Sequence, residues 1–392
     1  MKQDQAISRR GILRGTGIGV LTIAVAGGGV TSYRAYDNRL LGATGGDAFD
    51  TWRHWHGEPG PRGMVAAAVL AASPHNTQPW IFHATNTRID LRADLSRRMG
   101  DTDPYGRELQ VGLGCALENL VLAAQQCGVE ARVSLLPDPD DPQLVARVDL
   151  AAGEVRQSAL YDAIGNRHTN RGPYTDEPLP DGLLDDLTAL ADAGGPTPIW
   201  LTTAEARRDM GALMVEAARA VTADEAQSTD GFRWFRADSD AIERHKDGLT
   251  LDGQGLGNLM TSVAKLLPAS SREDGDAFWV DQTRKVHTKT ATAYGVLTVA
   301  DPHDPAQQLA GGRLLQRIHL AVTARELALQ NMNQITERID RDLSLGRPPV
   351  FGPRLAALVA QPGREPLVAF RLGRPVRAGR LSPRRPTTEV MS

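Results

Sequence analysis

The chain has 392 residues, 41% of them hydrophobic and 23% charged, which is enough for one large core or two ordinary domains and argues against disorder. Lys and Arg number 44 against 47 Asp and Glu, a formal charge of −3, so no basic field is available for a polyphosphate backbone and no nucleic-acid partner is expected. Cys115 and Cys127 fall on one expected helix, roughly 18 Å apart by its rise, whereas a disulfide spans at most about 7 Å between Cα atoms. His54 and His56 are the only close histidine pair. No helix-spaced carboxylate or cysteine accompanies them, so they read as loop residues and no metal is expected.

At the N-terminus, Ser8-Arg9-Arg10-Gly-Ile-Leu-Arg14 precedes an uncharged Gly- and Val-rich run from Gly15 to Val30, a basic segment followed by an apolar one of about sixteen residues. A basic start before a short buried helix is the alternative, and the glycines between Gly15 and Gly29 disfavour it. The segment, residues 1–35, resembles a twin-arginine signal or anchor. That resemblance implies export of the folded protein, often with a cofactor already inserted, to an extracytoplasmic or membrane-tethered location. No clean Ala-x-Ala follows, which leaves open a tether through an uncleaved segment of marginal length for a full span.

From Val30 to Pro61 a Gly-, Asp- and Trp-rich stretch reads as linker or covering loop. Met64, Val65, Ala68, Val69 and Ala72 then follow helical spacing until Ser73-Pro74 stops the run. Trp80-Ile-Phe82 and Ile89-Asp-Leu91 read as short strands around a turn at Thr85–Thr87. Leu113, Leu117, Leu120, Val121 and Ala124 share one face of a strong helix that Gly128 ends, and 132–136 and 144–150 read as strands. The unit recurs: Ala116-Leu-Glu-Asn-Leu-Val-Leu-Ala aligns with Leu314-Leu-Gln-Arg-Ile-His-Leu-Ala, with Gly114 opposite Gly312, and Leu144-Val-Ala is echoed by Leu367-Val-Ala. Two diverged copies of one unit are expected.

Two constellations carry chemistry. Ala72-Ser-Pro-His-Asn-Thr-Gln-Pro-Trp80 lies where a helix ends and a strand begins, so Ser73, His75, Asn76 and Gln78 present polar groups from one turn to a flat heteroaromatic ligand and its polyol tail. A helix stop with Asx-turn chemistry explains the prolines but not the density of amides. Arg167-His-Thr-Asn-Arg171 places two guanidinium groups around a hydroxyl, which suits a phosphate monoester, although a basic cluster this short is commonly a solvated patch.

The first string resembles the flavin-contact motif of the nitroreductase family, and the resemblance assigns Ser73, Pro74, His75, Asn76 and Gln78 to the FMN ribityl chain and ring. Ala72 stands where that family usually has proline. The second string resembles the family's phosphate and ribityl motif, mapped onto Arg167, Thr169 and Arg171 with threonine in place of serine. Ser382-Pro-Arg384-Arg385-Pro resembles the basic segment that closes over the FMN phosphate; a basic tail is the alternative. The Ser/Asn turn falls in the first copy and the arginine motif in the second, so one flavin site shared between halves is implied.

Together these features resemble the Acg-type branch of nitroreductase-like, FMN-binding oxidoreductases. The resemblance implies an α+β fold with a mixed sheet in each of two tandem halves, 36–150 and 151–392, forming a pseudo-dimer within one chain. An aromatic- and glycine-containing insertion at about 224–285 reads as a lid, since unstructured loops of that length are rarely inert. Its Gly253-Gln-Gly-Leu-Gly lacks a preceding strand and is no dinucleotide fingerprint. The implied function is FMN-dependent hydride or electron transfer between a small-molecule donor and quinone-like or nitroaromatic acceptors. The alternatives are an FMN-sequestering protein with little turnover and an exported binding protein without flavin.

Overall fold

The computed structural model describes residues 45–392, so the expected export segment with Arg9 and Arg10 lies outside the described residues. Between Asp47 and Gly57 the chain forms short helical turns that bury Phe49, Trp52 and Trp55. This part of the expected linker is therefore packed: burial of three large aromatic side chains outweighs the loop-forming composition around them. Trp52 Nε1 also donates to the Ser382 carbonyl at 2.8 Å, tying this segment to the C-terminal tail. His54 and His56 lie in these turns.

Helix α1 (Gly60–Ala68) starts with proline in its first turn and stops short of the expected end at Ser73. Val69–Ala72 stay buried but leave the helix, and the carbonyls of Leu70 and Ala71 accept guanidinium hydrogens from Arg167 and Arg384. Strands β1 (Trp80–Ala84) and β2 (Arg88–Ala93) form the expected hairpin. Trp80, Phe82, Ile89 and Leu91 point inward at alternate positions, the period of a half-buried strand. Helix α2 (Arg107–Gln126) follows and is buried along almost its whole length; Gly128, at φ +70°, takes the left-handed turn that releases the chain. Strands β3 (Val129–Leu135) and β4 (Leu144–Ala152) complete a sheet of order β1-β2-β4-β3.

The second sheet begins with β5 (Thr197–Leu201). Before its next strand the chain forms α3 (Ala204–Ala223), α4 (Glu225–Phe232), β6 (Phe235–Arg236), β7 (Leu249–Thr250), α5 (Asn258–Leu266) and α6 (Arg272–Gln282). A π-helical turn, Thr283–His287, leads on towards β8 (Ala293–Val299). Then come α7 (Pro305–Thr323), β9 (Ala328–Asn331), α8 (Gln334–Ser344), α9 (Phe351–Val359) and β10 (Glu365–Gly373). The strand order is β5-β8-β10-β9. Strands β1, β2, β3 and β4 thus correspond in order to β5, β8, β9 and β10, and α2 corresponds to α7.

Every pairing between the strands of the two sheets is antiparallel, and the only parallel contacts among their described residues are single bridges at the edges, Phe82 with Met391 and Thr169 with Leu329, so the expected mixing is confined to the edges. The reason is topological: each long helix joins two strands that run the same way, but β4 or β10 inserts between them. Helices α2 and α7 pack together between the sheets. A Cβ on Gly114 would lie 2.1 Å from the Leu309 carbonyl oxygen, and one on Gly312 2.0 Å from that of Val111. Only glycine permits that approach. Around it, Cys115 Sγ donates to the Gly312 carbonyl, Arg313 pairs with Glu118 at 2.7 Å, and Gln316 donates to Asn119 at 2.8 Å. Cys115 and Cys127 are both free thiols. No helix among the described residues is long and apolar enough to cross a membrane.

Candidate functional site

A cavity of about 250 Å³ lies where the two halves and the 224–285 segment meet. One wall is α2, through Glu108, Val111, Gly112 and Cys115; the turn at Ser73, Pro74 and His75 lies against it. Gly112 makes that contact possible, since a Cβ there would sit 3.0 Å from Pro74 Cδ. Thr169, Arg171 and the run from Gln330 to Gln334 line it from the second half. The 224–285 segment closes another side with Phe232, Phe235, Phe278 and Trp279.

The turn is conformationally unusual. His75, Asn76 and Gln78 have φ of 43°, 56° and 52°, a left-handed backbone that side chains with a Cβ adopt only at a cost. Hydrogen bonds over-determine it. Ser73 Oγ accepts from the Gln78 backbone N–H at 3.1 Å. Asn76 Nδ2 donates to the carbonyls of Gly248 and Pro383 at 3.1 and 2.9 Å, and its Oδ1 accepts from Arg384 at 2.6 Å. Gln78 donates to the Lys246 carbonyl at 2.9 Å and accepts the backbone N–H of Arg385 at 2.8 Å.

The ten residues singled out in the sequence therefore divide. Ser73, Pro74, His75, Thr169 and Arg171 line the cavity. Asn76, Gln78, Arg384 and Arg385 knit the turn to the C-terminal tail and to the 246–248 loop. Arg167 lies behind the turn, 2% exposed, with Nη2 on the Leu70 carbonyl at 3.1 Å. The tail segment 382–385 is thus packed; Arg384 is fully enclosed and lies over the Trp52 ring, 4.8 Å from its centroid.

The charges are arranged unevenly. Arg167, Arg171 and Arg384 make no ion pair with any described carboxylate, and Arg167 Nε and Nη1 and Arg384 Nε lack hydrogen-bond partners. Burial pulls Arg167 and Arg171 down to about 10, so both remain cations at neutral pH. Arg171 donates to the Gly253 carbonyl at 3.2 Å, and Gly255, at φ +73°, passes so close to Arg171 that a Cβ would collide with its carbonyl carbon at 2.3 Å. The glycine run of the insertion thus cradles this arginine. Burial, and then Arg171, hold His75 down at about 4; burial, Arg371 and Arg171 hold His287 well below its ordinary value. Both histidines are neutral bases in this setting. Elsewhere on the cavity wall stand Glu108, which burial and then repulsion from Glu337 and Asp103 push upward, and Glu337, which burial raises to about 7 against the opposing hydrogen bond from Glu108.

The sequence reading missed Glu108, Glu337, His287 and the Gln330–Gln334 run. They belong to separate helices, a π-helical turn and a strand end, and no local spacing relates them. The only signal was indirect: Glu108 is a carboxylate at the start of a helix whose other positions are mostly apolar.

No family model matches the chain. It is 34% identical over 158 residues to "Putative NAD(P)H nitroreductase Rv3131" of Mycobacterium tuberculosis, a stretch covering 40% of this chain and 45% of the relative. It is 31% identical over 135 residues to "Putative NAD(P)H nitroreductase acg" of the same organism, covering 34% and 41%. The chain thus matches less than half the length of these curated relatives. A solved FMN-bound nitroreductase from Desulfitobacterium hafniense superposes with a TM-score of 0.36 and 14% identity, covering 60% of this chain and 98% of that one. The chain has a mixed α/β fold and, over about two-fifths of its length, a sequence similar to proteins named as nitroreductases.

Proposed function

We propose that the chain binds one FMN between its halves and works as a flavin-dependent oxidoreductase of nitroreductase type, passing electrons from a small-molecule donor to quinone-like or nitroaromatic acceptors. The observation that carries this is the group of buried arginines without carboxylate partners beside the strained Ser73–Gln78 turn. A buried cation is costly unless an anion completes it, and Arg167 has N–H groups without partners. A phosphate dianion in the cavity would meet Arg171 directly, with Arg167 behind the turn adding to the positive field. In this reading Ser73, Pro74, His75 and Thr169, which line the cavity, contact the ribityl chain and ring. The role of Asn76, Gln78, Arg384 and Arg385 is to hold the turn rather than to present side chains to the ligand. When bound, the flavin supplies the two-electron chemistry; the protein binds and orients it. Similarity to relatives named NAD(P)H nitroreductases supports a nicotinamide donor.

The equivalent strand orders, and the meeting of Gly114 with its aligned counterpart Gly312, support reading the chain as two diverged copies joined as a pseudo-dimer: at a two-fold axis an equivalent pair faces itself. Domain limits of 36–150 and 151–392 go with that reading. The aromatic wall from 224–285 favours a second reading, in which FMN is sequestered with little turnover. Anaerobic mixing with NADH or NADPH separates the two, since fast bleaching of the flavin supports turnover and its absence supports storage. Export through Arg9 and Arg10 is part of the proposal and predicts that replacing both by lysine retains the protein in the cytoplasm.

The phosphate assignment has its own test. Arg171→Ala removes charge-assisted bonds worth about 1.5–3 kcal/mol each, so FMN affinity measured by fluorescence quenching should fall about tenfold or more. Riboflavin, which lacks the phosphate, should bind both proteins alike. Equal loss of both ligands would overturn the phosphate site.

A further inference from the structure

Glu108, on the first turn of α2, and Glu337, on α8, come from different halves and line the same cavity. Their carboxyl groups are hydrogen-bonded to each other, and Asn333 bonds Glu108 from the side. Glu108 is 7% exposed, and its Oε1 is enclosed without a hydrogen-bond partner. Gly112, which abuts Pro74, is one helical turn from Glu108, about 6 Å along the axis. The carboxyl pair is therefore close to the turn that would hold the flavin.

The surroundings do not neutralise this pair. Asp103 faces it and accepts the backbone N–H groups of Glu108 and Leu109 at 3.2 and 2.9 Å. Arg107 also faces it, but is ion-paired with the buried Asp340, whose carboxylate lies 2.9 Å from His303 Nε2. Two carboxylates in contact, with a third acid beside them and the nearest cation engaged elsewhere, retain a proton between them.

We propose that Glu108 and Glu337 share a proton and deliver it to the electron acceptor in the cavity, a role that rests on the flavoprotein reading above. Reduction of a quinone to a hydroquinone takes two electrons and two protons. A hydride supplied by a bound reduced flavin would account for both electrons and one proton, at one carbonyl oxygen. The pair's proton goes to the other oxygen, forming its O–H bond and leaving both carboxyl groups ionised until solvent returns a proton. Of the cavity's other titratable groups, His75, held down at about 4, and His287, held well below its ordinary value, carry no proton to give at neutral pH, and burial pushes the Cys115 thiol up to about 12, too weak an acid to release one. Asp276 stands on the 224–285 side of the cavity and is engaged by the Ser228 hydroxyl.

The test uses Glu108→Gln and Glu337→Gln in the full chain, which keep the shape and hydrogen-bonding capacity of the pair. In flavin-free wild type, infrared difference spectra should show a carboxylic-acid C=O band that persists at neutral pH and disappears as pH rises; either variant should lose it. With FMN bound, the ratio of quinone to ferricyanide reduction rates should fall by about tenfold or more, because ferricyanide takes an electron and no proton. A wild-type chain without the band, or variants that keep the wild-type rate ratio, would overturn the proton-donor role while leaving FMN binding intact. Failure of the wild-type chain to bind FMN would overturn the parent reading, and this role with it.

Discussion

The two sheets share a strand order and differ in what interrupts it. Only Thr85–Thr87 separate β1 from β2, whereas β5 and β8 are separated by five helices, α3–α6 and the short Ser239–His245, and by the small parallel pair β6–β7. Likewise β3 and β4 are joined by a loop, but β9 and β10 by α8 and α9. The first half therefore contributes a compact scaffold: a hairpin, the long helix and one rigid turn. The second half has the same strand order, and its longer connections form cavity walls from Gln227 to Trp279 and from Gln330 to Glu337. New surface is added between conserved-geometry strands because connections tolerate length far better than ladders do.

The sharpest way to break the comparison is at the point where the two scaffolds touch. Gly312→Val would place a Cβ 2.0 Å from the Val111 carbonyl oxygen and 2.9 Å from Gly114 Cα, both backbone atoms that cannot rotate away. The helices must separate, at a cost of about 3 kcal/mol or more. Gly57→Ala is the control, since nothing lies within 4 Å of its added methyl group. Urea unfolding should show a large fall in midpoint for the first variant and almost none for the second. A Gly312→Val midpoint at the wild-type value would mean that the helices do not meet as described.

A smaller effect separates the two long helices from each other. His319 on α7 aligns with Val121 on α2, and it is 1% exposed. Burial, and then the Arg167 charge, hold His319 well below its ordinary value of 6.5. A depressed folded-state value means that the unfolded chain binds a proton the folded chain refuses, so stability is full above 6.5 and is lost as pH falls. His319→Val, which imports the residue of the first half, should remove that loss. Between pH 6.5 and 5 the variant's stability relative to wild type should rise by about 1.4 kcal/mol per pH unit at most. Parallel stability curves for the two proteins over that range would show that His319 titrates as it does in water.

Local patterns explain why some of this was visible in the sequence. The β1–β2 and β3–β4 hairpins, α2 and its end at Gly128 are local structures whose periodicity and stop signals lie within the segment itself. The alignment of Gly114 with Gly312 was legible because both helices kept the same small residue at their crossing. Other features depend on distant partners. Helix α1 stops at Ala68 while the apolar pattern continues, and the buried carbonyls beyond its end meet arginines about a hundred and three hundred residues away. The Ser73–Gln78 string was recognisable as a polar turn, but its amides are committed to the 246–248 loop and the tail, which no local pattern could reveal. Glu108 and Glu337 are brought together only by the packing of the halves.

The smallest effect concerns the aromatic wall, for which point substitutions are a cleaner probe than deletion. Deleting residues 228–282 would remove the Lys246 and Gly248 carbonyls that accept from Gln78 and Asn76, so the strained turn would lose its supports along with the wall. Replacing Phe278 and Trp279 by alanine instead opens the cavity side without touching those bonds, because both residues belong to α6. If this wall restrains access to the flavin, anaerobic stopped-flow mixing with NADH should show flavin reduction faster by about threefold to tenfold, a change of about 0.7–1.4 kcal/mol in the barrier. FMN affinity should change little, since the arginines and the Ser73–His75 turn lie on other elements. Reduction at the wild-type rate, with affinity preserved, would show that the aromatic wall does not limit access and that the longer connections of the second half serve the site in some way other than as a lid.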